Sequence, residues 1–458
     1  MAYDLRSPGL LELYSLVRHD MGFYRAFGMA GRFYPPSSSS VTTDTIYKAL
    51  HSMISKHPPL GISVVGESTP SPRFVRLSHV DLDKVVLFVP LEKASDREAV
   101  LNDYVAKNLS SPFDELGKRP LWRLIVLLPP STLSQTEHGV DIAIFFHHGI
   151  ADGTSAGAFH RSLLASLNSA SPSDPSGSIV TIPSLPFSPA LESLLPMPIS
   201  LKTLVKALFN DWFPRSAKRL WTGAPVTKPS TLQTQHAATV FPPETVAALL
   251  AACRKHQTTL TTLVEAIIAR ALFDALPKDG TADQLVCGVP IDLRRFIRNR
   301  KSSDPALDIG VFVASEQHRF TRAESQGDIW AVARRVKIAL DAKLAAGNRN
   351  LDTGLLRYVS DLRKYFLSKI GKQRELSFEV SNAGAVDGGV GDPAGWKVAR
   401  LTFVQSASVT GAAIEFTVCS VRGGDLCVAA NWQKGVVEKT LVSGVMESIS
   451  ALVNEVIV

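Results

Sequence analysis

The stretch that decides the fold reads Phe145-Phe146-His147-His148-Gly149-Ile150-Ala151-Asp152-Gly153, an HHxxxDG pattern at the end of an apolar segment. Residues 140–146 are apolar except for Asp141, and this pattern predicts a buried strand. The strand delivers two histidines to its C-terminal end, where α/β proteins commonly place reactive groups. Histidine suits proton transfer near neutral pH because its ordinary pKa lies close to neutrality.

Two other chemistries fit the histidine pair less well. Adjacent residues of a strand point to opposite faces, so His147 and His148 cannot share a metal ion. The sequence also lacks the HExxH and CxxC patterns of common metal sites, and we therefore expect no metal. A serine hydrolase is disfavoured because the chain has no GxSxG nucleophile elbow.

The HHxxxDG pattern resembles the signature of the chloramphenicol-acetyltransferase-like, CoA-dependent acyltransferases, a superfamily that includes condensation domains and plant BAHD enzymes. Further segments resemble the alcohol O-acetyltransferase branch that is typical of fungi. In chain order these segments are residues 6–12, 18–19, 22–24, 289–295, 378–384, 405–408 and 431–437. The DFGWG motif of the plant branch has no counterpart here beyond Gly395-Trp396, which argues against a plant-type enzyme.

This resemblance implies an α/β (α+β) protein with two chloramphenicol-acetyltransferase-like domains. Each domain would be a mixed β-sheet with helices, and the active-site tunnel would run between them. We place an N-terminal domain with the HHxxxDG motif at residues 1–195 and a linker with an amphipathic helix at 196–231. The C-terminal domain then covers residues 232–458.

Hydrophobic periodicity predicts the individual elements. The predicted helices are 44–56, one capped by Thr154 or Ser155 and ending near 168, 243–256, 259–276, 326–346 and 438–455. The predicted strands are 120–128, 140–146, 285–290, 376–382, 398–405, 411–421 and 426–432. Residues 169–189 are rich in Ser and Pro, which indicates an exposed loop.

A separate amphipathic helix is predicted at 201–213, capped by Ser200 and ended by Pro214. We favour a connector helix packed across the domain junction. The alternative is peripheral membrane contact through residues 200–214, because the helix is basic as well as amphipathic.

Composition narrows the class of protein. The chain has 458 residues, 45% of them hydrophobic and 20% charged, which is ordinary for a globular protein. Its net charge is +7, and residues 194–221 contribute +4 of it, with five basic residues against Asp211. Because the charge is local and no RNA-binding or zinc-finger pattern occurs, we expect no nucleic-acid partner. We expect a cytoplasmic monomer, since the N-terminus lacks the apolar core of a signal peptide.

Four cysteines do not make a disulfide framework. Cys419 and Cys427 flank a hairpin that we expect to turn at Gly423-Gly424. A two-residue turn there would place the two thiols on opposite faces of the sheet, so we predict no bridge between them.

The resemblance implies a role for several residues of the motif. His148 would be the general base that takes the proton of the acceptor, and His147 would be structural. Asp152 could hold the histidine as in a catalytic triad, but in this superfamily the carboxylate usually pairs with an arginine. Arg294 is the first candidate partner and Arg295 the second.

Further residues complete the expected site. Gly153 would allow the tight turn after the strand. The tetrahedral intermediate needs a hydrogen-bond donor for its oxyanion, and the candidates are Asn382, Ser406 and Ser408.

The function implied is transfer of an acetyl or short acyl group from CoA to a small-molecule alcohol. Acetyl-CoA would be a co-substrate, with no permanently bound cofactor, and scattered Lys and Arg side chains would hold its phosphates at the tunnel mouth. A condensation-type enzyme that takes the acyl group from a carrier protein and an N-acetyltransferase acting on an amine are alternatives. A catalytically idle binding protein is a third, disfavoured by intact His148, Asp152 and Gly153. A volatile alcohol, a secondary metabolite and a sterol all fit as acceptors.

Overall fold

The computed structural model describes residues 3–36, 40–130, 132–212, 219–228, 230–297, 305–389 and 394–457. The strands are β1 Tyr3–Arg6, β2 Phe27–Tyr34, β3 Ile62–Val65, β4 Arg73–Arg76, β5 His79–Asp81, β6 Val86–Pro90, β7 Trp122–Leu128, β8 Val140–Phe146, β9 Ile179–Thr181, β10 Thr234–Phe241, β11 Gln284–Asp292, β12 Val313–Thr321, β13 Phe378–Val386, β14 Lys397–Gln405, β15 Ile414–Val421 and β16 Leu426–Gln433.

The helices are α1 Leu10–Asp20, α2 Thr43–Lys56, α3 Arg97–Ser110, α4 Gln135–His138, α5 Gly153–Ser169, α6 Leu191–Leu194, α7 Leu201–Trp212, α8 Pro243–Lys255, α9 Leu260–Ala275, α10 Pro305–Asp308, α11 Arg322–Ser325, α12 Ile329–Ala345, α13 Asp352–Leu355, α14 Leu362–Leu367 and α15 Lys439–Val456.

The N-terminal sheet has the strand order β14-β2-β8-β7-β6, which places β8 at its centre. All seven residues of β8 are buried, as an apolar strand between two neighbours requires. The one charge of the strand, Asp141, is compensated by the guanidinium groups of Arg32 and Arg97. The predicted motif strand 140–146 is therefore present, and it ends directly at the two histidines.

The C-terminal sheet has the strand order β10-β16-β15-β13-β11-β12. Strands β11, β13 and β15 run parallel to one another, and the outer pairs are antiparallel. One face carries apolar side chains such as Phe378, Val380 and Phe416, which pack into a core with helices α8, α9 and α15. Alternation turns the intervening residues, among them Glu379 and Glu415, to the opposite face.

Strand β14 belongs to the second half of the chain but forms the edge of the N-terminal sheet. It pairs antiparallel with β2, and its last residue, Gln405, lies opposite Phe27. Strand β14 also contacts the face of the C-terminal sheet that carries Glu379 and Glu415. The thiol of Cys419 on that face donates to the Leu401 carbonyl of β14 (3.1 Å). The mixed α/β class, with two large sheets, two small ones (β1-β4-β3 and β5-β9) and covering helices, is as predicted. The division at residues 195 and 232 stays a prediction, and β14 crosses it.

Most predicted helices are observed within three residues of their expected ends, but two details are wrong. Helix α5 is capped by Asp152, whose carboxylate accepts the Ser155 N–H (3.0 Å), and not by Thr154 or Ser155. Aspartate is a strong cap because its charge also faces the positive end of the helix dipole. The Ser/Pro-rich segment 169–189 is not all loop, since it contains β9, which pairs with β5.

Helix α7 occupies the predicted amphipathic segment, while Phe213 and the expected stop at Pro214 lie outside the described residues. Its apolar side chains Leu201 and Val205 are 75% and 56% exposed. Both interpretations of this helix, connector and membrane contact, stay predictions. No helix in the described ranges combines the length and the apolar character needed to cross a membrane.

The expected geometry of the cysteine hairpin is wrong. Cys419 lies directly opposite Cys427 in the β15–β16 register, so the two side chains share one face of the sheet. The reason is a three-residue loop: the Val421 N–H donates to the Asp425 carbonyl (3.0 Å), which leaves 422–424 as the turn. Both thiols are free and buried, and burial raises the pKa of Cys427 to about 11.

Candidate active site

The two motif histidines point in opposite directions from the end of β8. His147 is completely buried on one side, whereas His148 on the other side keeps some accessible surface. The alternation of a strand continued by one residue explains this division. His147 is therefore packed inside the protein, and His148 keeps a surface that is available to a ligand.

His147 belongs to a buried cluster with His19 and Glu67. Its Nε2 lies 2.9 Å from Oε1 of Glu67, and Nδ1 of His19 lies 3.0 Å from the same carboxylate. Although burial opposes ionisation, hydrogen bonds from His147 and His19 lower the pKa of Glu67 to about 2. The cluster therefore fixes His147 through a carboxylate that it shares with His19.

Backbone donors determine the tautomers in this cluster. The Gly149 N–H donates to Nδ1 of His147 (2.8 Å), and the Phe113 N–H donates to Nε2 of His19 (2.9 Å). Each ring must therefore carry its proton on the nitrogen that faces Glu67. A metal ion bound between the three side chains would require those protons on the outer nitrogens, where the backbone N–H groups point. The donor set suits hydrogen bonding and not a metal.

His148 lies among aromatic rings and one cation. Its ring centre is 5.6 Å from that of Tyr24 and 5.0 Å from that of Phe27. Burial, with a smaller effect of the Arg18 charge, lowers the pKa of His148 to about 4. The imidazole is therefore neutral at pH 7, and its Nδ1 has no hydrogen-bond partner within the described ranges.

Asp152 and Arg294 form a bidentate ion pair. Nη1 of Arg294 lies 2.8 Å from Oδ2 of Asp152, and Nη2 lies 3.0 Å from Oδ1. The carboxylate also accepts the Ser155 N–H and hydroxyl and the Phe312 N–H (2.9 Å). Despite burial, Arg294 and these donors lower the pKa of Asp152. The structure thus places Asp152 against the arginine and away from a triad with His148, while Arg295 is exposed.

The pair joins the two halves of the chain at one point. Arg294 follows β11, its Nε donates to the Leu307 carbonyl (2.7 Å), and Nη2 donates to Ser155 of α5 (3.1 Å).

Gly153, the first residue of α5, faces β14: a Cβ there would lie 3.0 Å from Cζ of Phe403. Gly153 has no positive φ, so no left-handed turn requires a glycine there, and the Phe403 ring leaves little room for a side chain.

The three oxyanion candidates occupy different places. Ser406 directly follows β14, its N–H donates to the Ala26 carbonyl (2.7 Å), and it is therefore close to the end of β8. Ser408 is buried, and its hydroxyl accepts the Gly411 N–H (3.0 Å). Asn382 donates to the Thr261 hydroxyl of α9 (2.9 Å), on the helix side of the C-terminal sheet. The structure brings Ser406 towards His148 but turns Asn382 away from it.

Sequence reasoning missed several polar residues near His148. The sequence identifies Tyr24 only as part of a segment that resembles the family. It indicates no role for Glu379 or Glu415. Glu379 sits inside the quoted 378–384 segment, where its alternation with Phe378 and Val380 was a usable signal. Glu67 lies in a short turn between β3 and β4 and gives no signal that could have identified it.

A surface cavity of about 380 Å³ lies between residues 77–85 and 115–120, and His148 is not among its lining residues. Its charged groups are largely engaged with each other, as in the pairs Lys84–Asp81 and Arg119–Glu115. The end of β8, which carries the neutral His148 imidazole, therefore lies outside this cavity.

The two sheets and the HHxxxDG strand end define a two-domain acyltransferase of the chloramphenicol-acetyltransferase type. Among solved structures, TRI3 trichothecene 15-O-acetyltransferase from Fusarium sporotrichioides is similar, with a TM-score of 0.71 over 98% of this chain and 94% of that one, at 15% identity. The condensation domain of the Monacolin K polyketide synthase MokA is similar with a TM-score of 0.62 over 100% and 97%, at 12% identity.

The sequence comparisons identify the family. The alcohol acetyltransferase family matches residues 7–456, and the chain belongs to that family. It is 29% identical to the probable alcohol acetyltransferase crmB of Aspergillus fumigatus, over 97% of this chain and 98% of the relative. It is 27% identical to the probable alcohol acetyltransferase FCK4 of Fusarium pseudograminearum, over 97% and 94%. The protein is an acyltransferase.

Replacing Asp152 with Asn should lower the free energy of unfolding by about 3–5 kcal/mol, because the buried Arg294 would then keep only the partly exposed Asp292 as a counter-ion. Urea denaturation measures the loss. Asp292→Asn is the matched control, since Asp292 also contacts Arg294 (3.1 Å) but is 36% exposed, and we expect a loss below about 1 kcal/mol. Equal losses in the two variants would contradict this account.

Stability should fall as the pH is lowered from 6.5 towards 4. Burial lowers the pKa of His19, His148, His160 and His236 to about 4, whereas in the unfolded chain they take up protons near 6.5. Between these values the unfolded state binds more protons, so each histidine removes up to about 1.4 kcal/mol per pH unit.

Urea denaturation at pH 7, 6 and 5 tests this dependence. His160→Gln should make the pH dependence less steep, and the exposed His79→Gln should leave it unchanged. Equal stability at pH 7 and pH 5 in the wild-type protein would show that these histidines titrate normally in the folded state.

Proposed function

We propose that the protein transfers an acetyl group from acetyl-CoA to a small-molecule alcohol, with His148 as the general base. The observation that carries this proposal is a neutral imidazole at the end of β8, accessible on one side and close to where β14 ends. Membership of the family and the names of the fungal relatives support acetyl transfer to an alcohol.

The reaction follows from what a neutral imidazole can do. His148 takes the proton of the acceptor hydroxyl while the oxygen attacks the thioester carbonyl, and a C–O bond forms. The tetrahedral intermediate then collapses, the C–S bond breaks, and the thiolate of CoA recovers the proton from the imidazolium. Ser406 and Ser408 remain the proposed donors for the oxyanion, because both lie buried at the end of β14.

Asp152 and Arg294 serve this chemistry indirectly. His148 is four residues before Asp152, so the ion pair fixes the segment that carries the base without touching the acceptor. We propose His147 as a second structural element, because both of its ring nitrogens are used by Glu67 and Gly149.

Two alternatives differ in the substrates. A carrier-protein donor has support from the fold of the condensation domains, but that likeness is one of architecture. An amine acceptor would need the same base and the same steps. Two relatives are named probable alcohol acetyltransferases, which favours an alcohol as the acceptor.

His148→Ala should lower kcat by about 10²–10⁴-fold with little change in the unfolding midpoint, because the imidazole acts on the proton of the acceptor. His147→Ala is the comparison: it should cost about 1–3 kcal/mol of stability by removing one of the two imidazole donors of the buried Glu67. Turnover is followed by release of the CoA thiol. Wild-type kcat in the His148 variant would refute the mechanism.

Acetyl-CoA should stabilise the protein by about 2.7 kcal/mol at a hundredfold excess over its dissociation constant. The effect should weaken as salt rises, since we expect scattered Lys and Arg side chains to hold the phosphates. Thermal shift and turnover with acetyl-CoA are compared with an acetyl-loaded carrier protein. Activity with the carrier alone would favour the condensation-type alternative.

A further inference from the structure

Two glutamates lie side by side on the face of the C-terminal sheet that is turned towards the N-terminal sheet. Glu379 of β13 and Glu415 of β15 are direct register partners in a parallel pair, so their side chains project from the same face. Their neighbours Phe378 and Phe416 pack into the helix-covered core on the other face. The amide of Gln405, the last residue of β14, donates to Glu379 (3.0 Å), which locates the pair between the sheets.

The protein's own hydrogen bonds leave one oxygen of this pair without a donor. Glu415 is only 4% exposed, yet its Oε2 has no partner in the part of the chain that the structure describes. Glu379 accepts the Gln405 amide and is partly accessible. A buried carboxylate oxygen without a donor is costly, and such groups commonly mark a place where water or a ligand binds.

Tyr24 connects the two glutamates to the base. Its ring contacts His148, it is 5% exposed, and its hydroxyl has no partner among the described residues. Burial, followed by the charge of Glu415, raises the pKa of Tyr24, so its hydroxyl stays protonated. The geometric link to the glutamates runs through Gln405, which bonds Glu379 and lies opposite Phe27, whose ring is 5.0 Å from that of His148. A phenol and one carboxylate with free hydrogen-bonding capacity, beside a second carboxylate, thus lie towards the proposed reacting position.

The charges around Glu379 and Glu415 indicate which kind of ligand group fits beside them. The guanidinium group of Arg18 lies over the Tyr24 ring (4.6 Å). The positive charges of Arg18 and Arg374 both favour the ionised form of Glu415. Burial raises the pKa of Glu379 and of Glu415, and two adjacent carboxylates do not both ionise readily. With two guanidinium groups nearby, the cluster carries no excess negative charge for an ammonium ion. A neutral hydroxyl, which both donates and accepts, matches it.

We propose that Glu379 and Glu415, with Tyr24, form a specificity subsite that binds a second hydroxyl of the acceptor. The preferred acceptor is therefore a polyhydroxylated molecule and not a simple alkanol. This inference rests on the proposed function, because it assigns the subsite to the acceptor bound at His148. The acetyl methyl group has no polar atom that could form a hydrogen bond with these side chains.

The experiment compares alkanols with the α,ω-diols of the same chain lengths, using the full chain and acetyl-CoA. We expect kcat/KM to be at least about tenfold higher for the best diol than for its alkanol, the size of one hydrogen bond to a charged or strongly polar group. Glu379→Gln and Glu415→Gln should raise KM for the diol about tenfold more than KM for the alkanol. Glu447→Gln, at an exposed position of α15, is the matched control.

Each other outcome overturns the subsite in a recognisable way. Equal rates for alkanols and diols in the wild-type protein overturn it without any variant, so misfolding of a variant cannot hide the result. A raised KM for acetyl-CoA alone would assign the pair to the pantetheine arm, and a preference for amino alcohols over diols would assign it to a cation. Acetylation of neither set would overturn the proposed function together with the subsite.

Discussion

The ion pair between Asp152 and Arg294 is the interaction on which the arrangement of the site depends. Two unit charges are removed from water there, and that is tolerable only because nearly every polar atom has a partner. Asp152 receives five hydrogen bonds, from Arg294, Ser155 and Phe312. The same carboxylate caps α5, so the start of one helix and the turn after β11 are fixed by a single side chain. Since Asp152 is four residues beyond His148, the position of the base is fixed as well.

Strand alternation accounts for the different surroundings of the two histidines. His147 faces a carboxylate that it holds in the ionised form, whereas His148 faces aromatic rings and the Arg18 charge. Such surroundings disfavour the imidazolium, and the imidazole stays neutral without a carboxylate partner. A triad-like Asp would raise its pKa, but the only candidate in the motif is bound to Arg294. The motif therefore separates the residue that forms the ion pair from the proposed base.

The sequence predicted what depends on local pattern. Periodicity placed α2 and β8 within a residue or two, and the resemblance led to the fold and to Arg294 as a partner for Asp152. Contacts between distant segments have no such signal: Glu67 meets His147 across 80 positions, and Glu379 meets Glu415 only through strand pairing. The prediction for the cysteine hairpin was wrong because one extra loop residue reverses the face of every side chain beyond it. Helix capping by Asp152 was missed because its role in the motif concealed the ordinary Asp–x–x–Ser pattern.

The position of β14 has a consequence for synthesis on the ribosome. The N-terminal sheet lacks its edge strand until residue 405 has left the exit tunnel, so β2 must wait with an unpaired backbone edge while more than half of the chain is made. An open, apolar strand edge is a template for pairing with other chains. Nascent protein should therefore require protection by chaperones until late in translation. The same dependence means that the first half, expressed alone, would present this edge permanently and tend to aggregate.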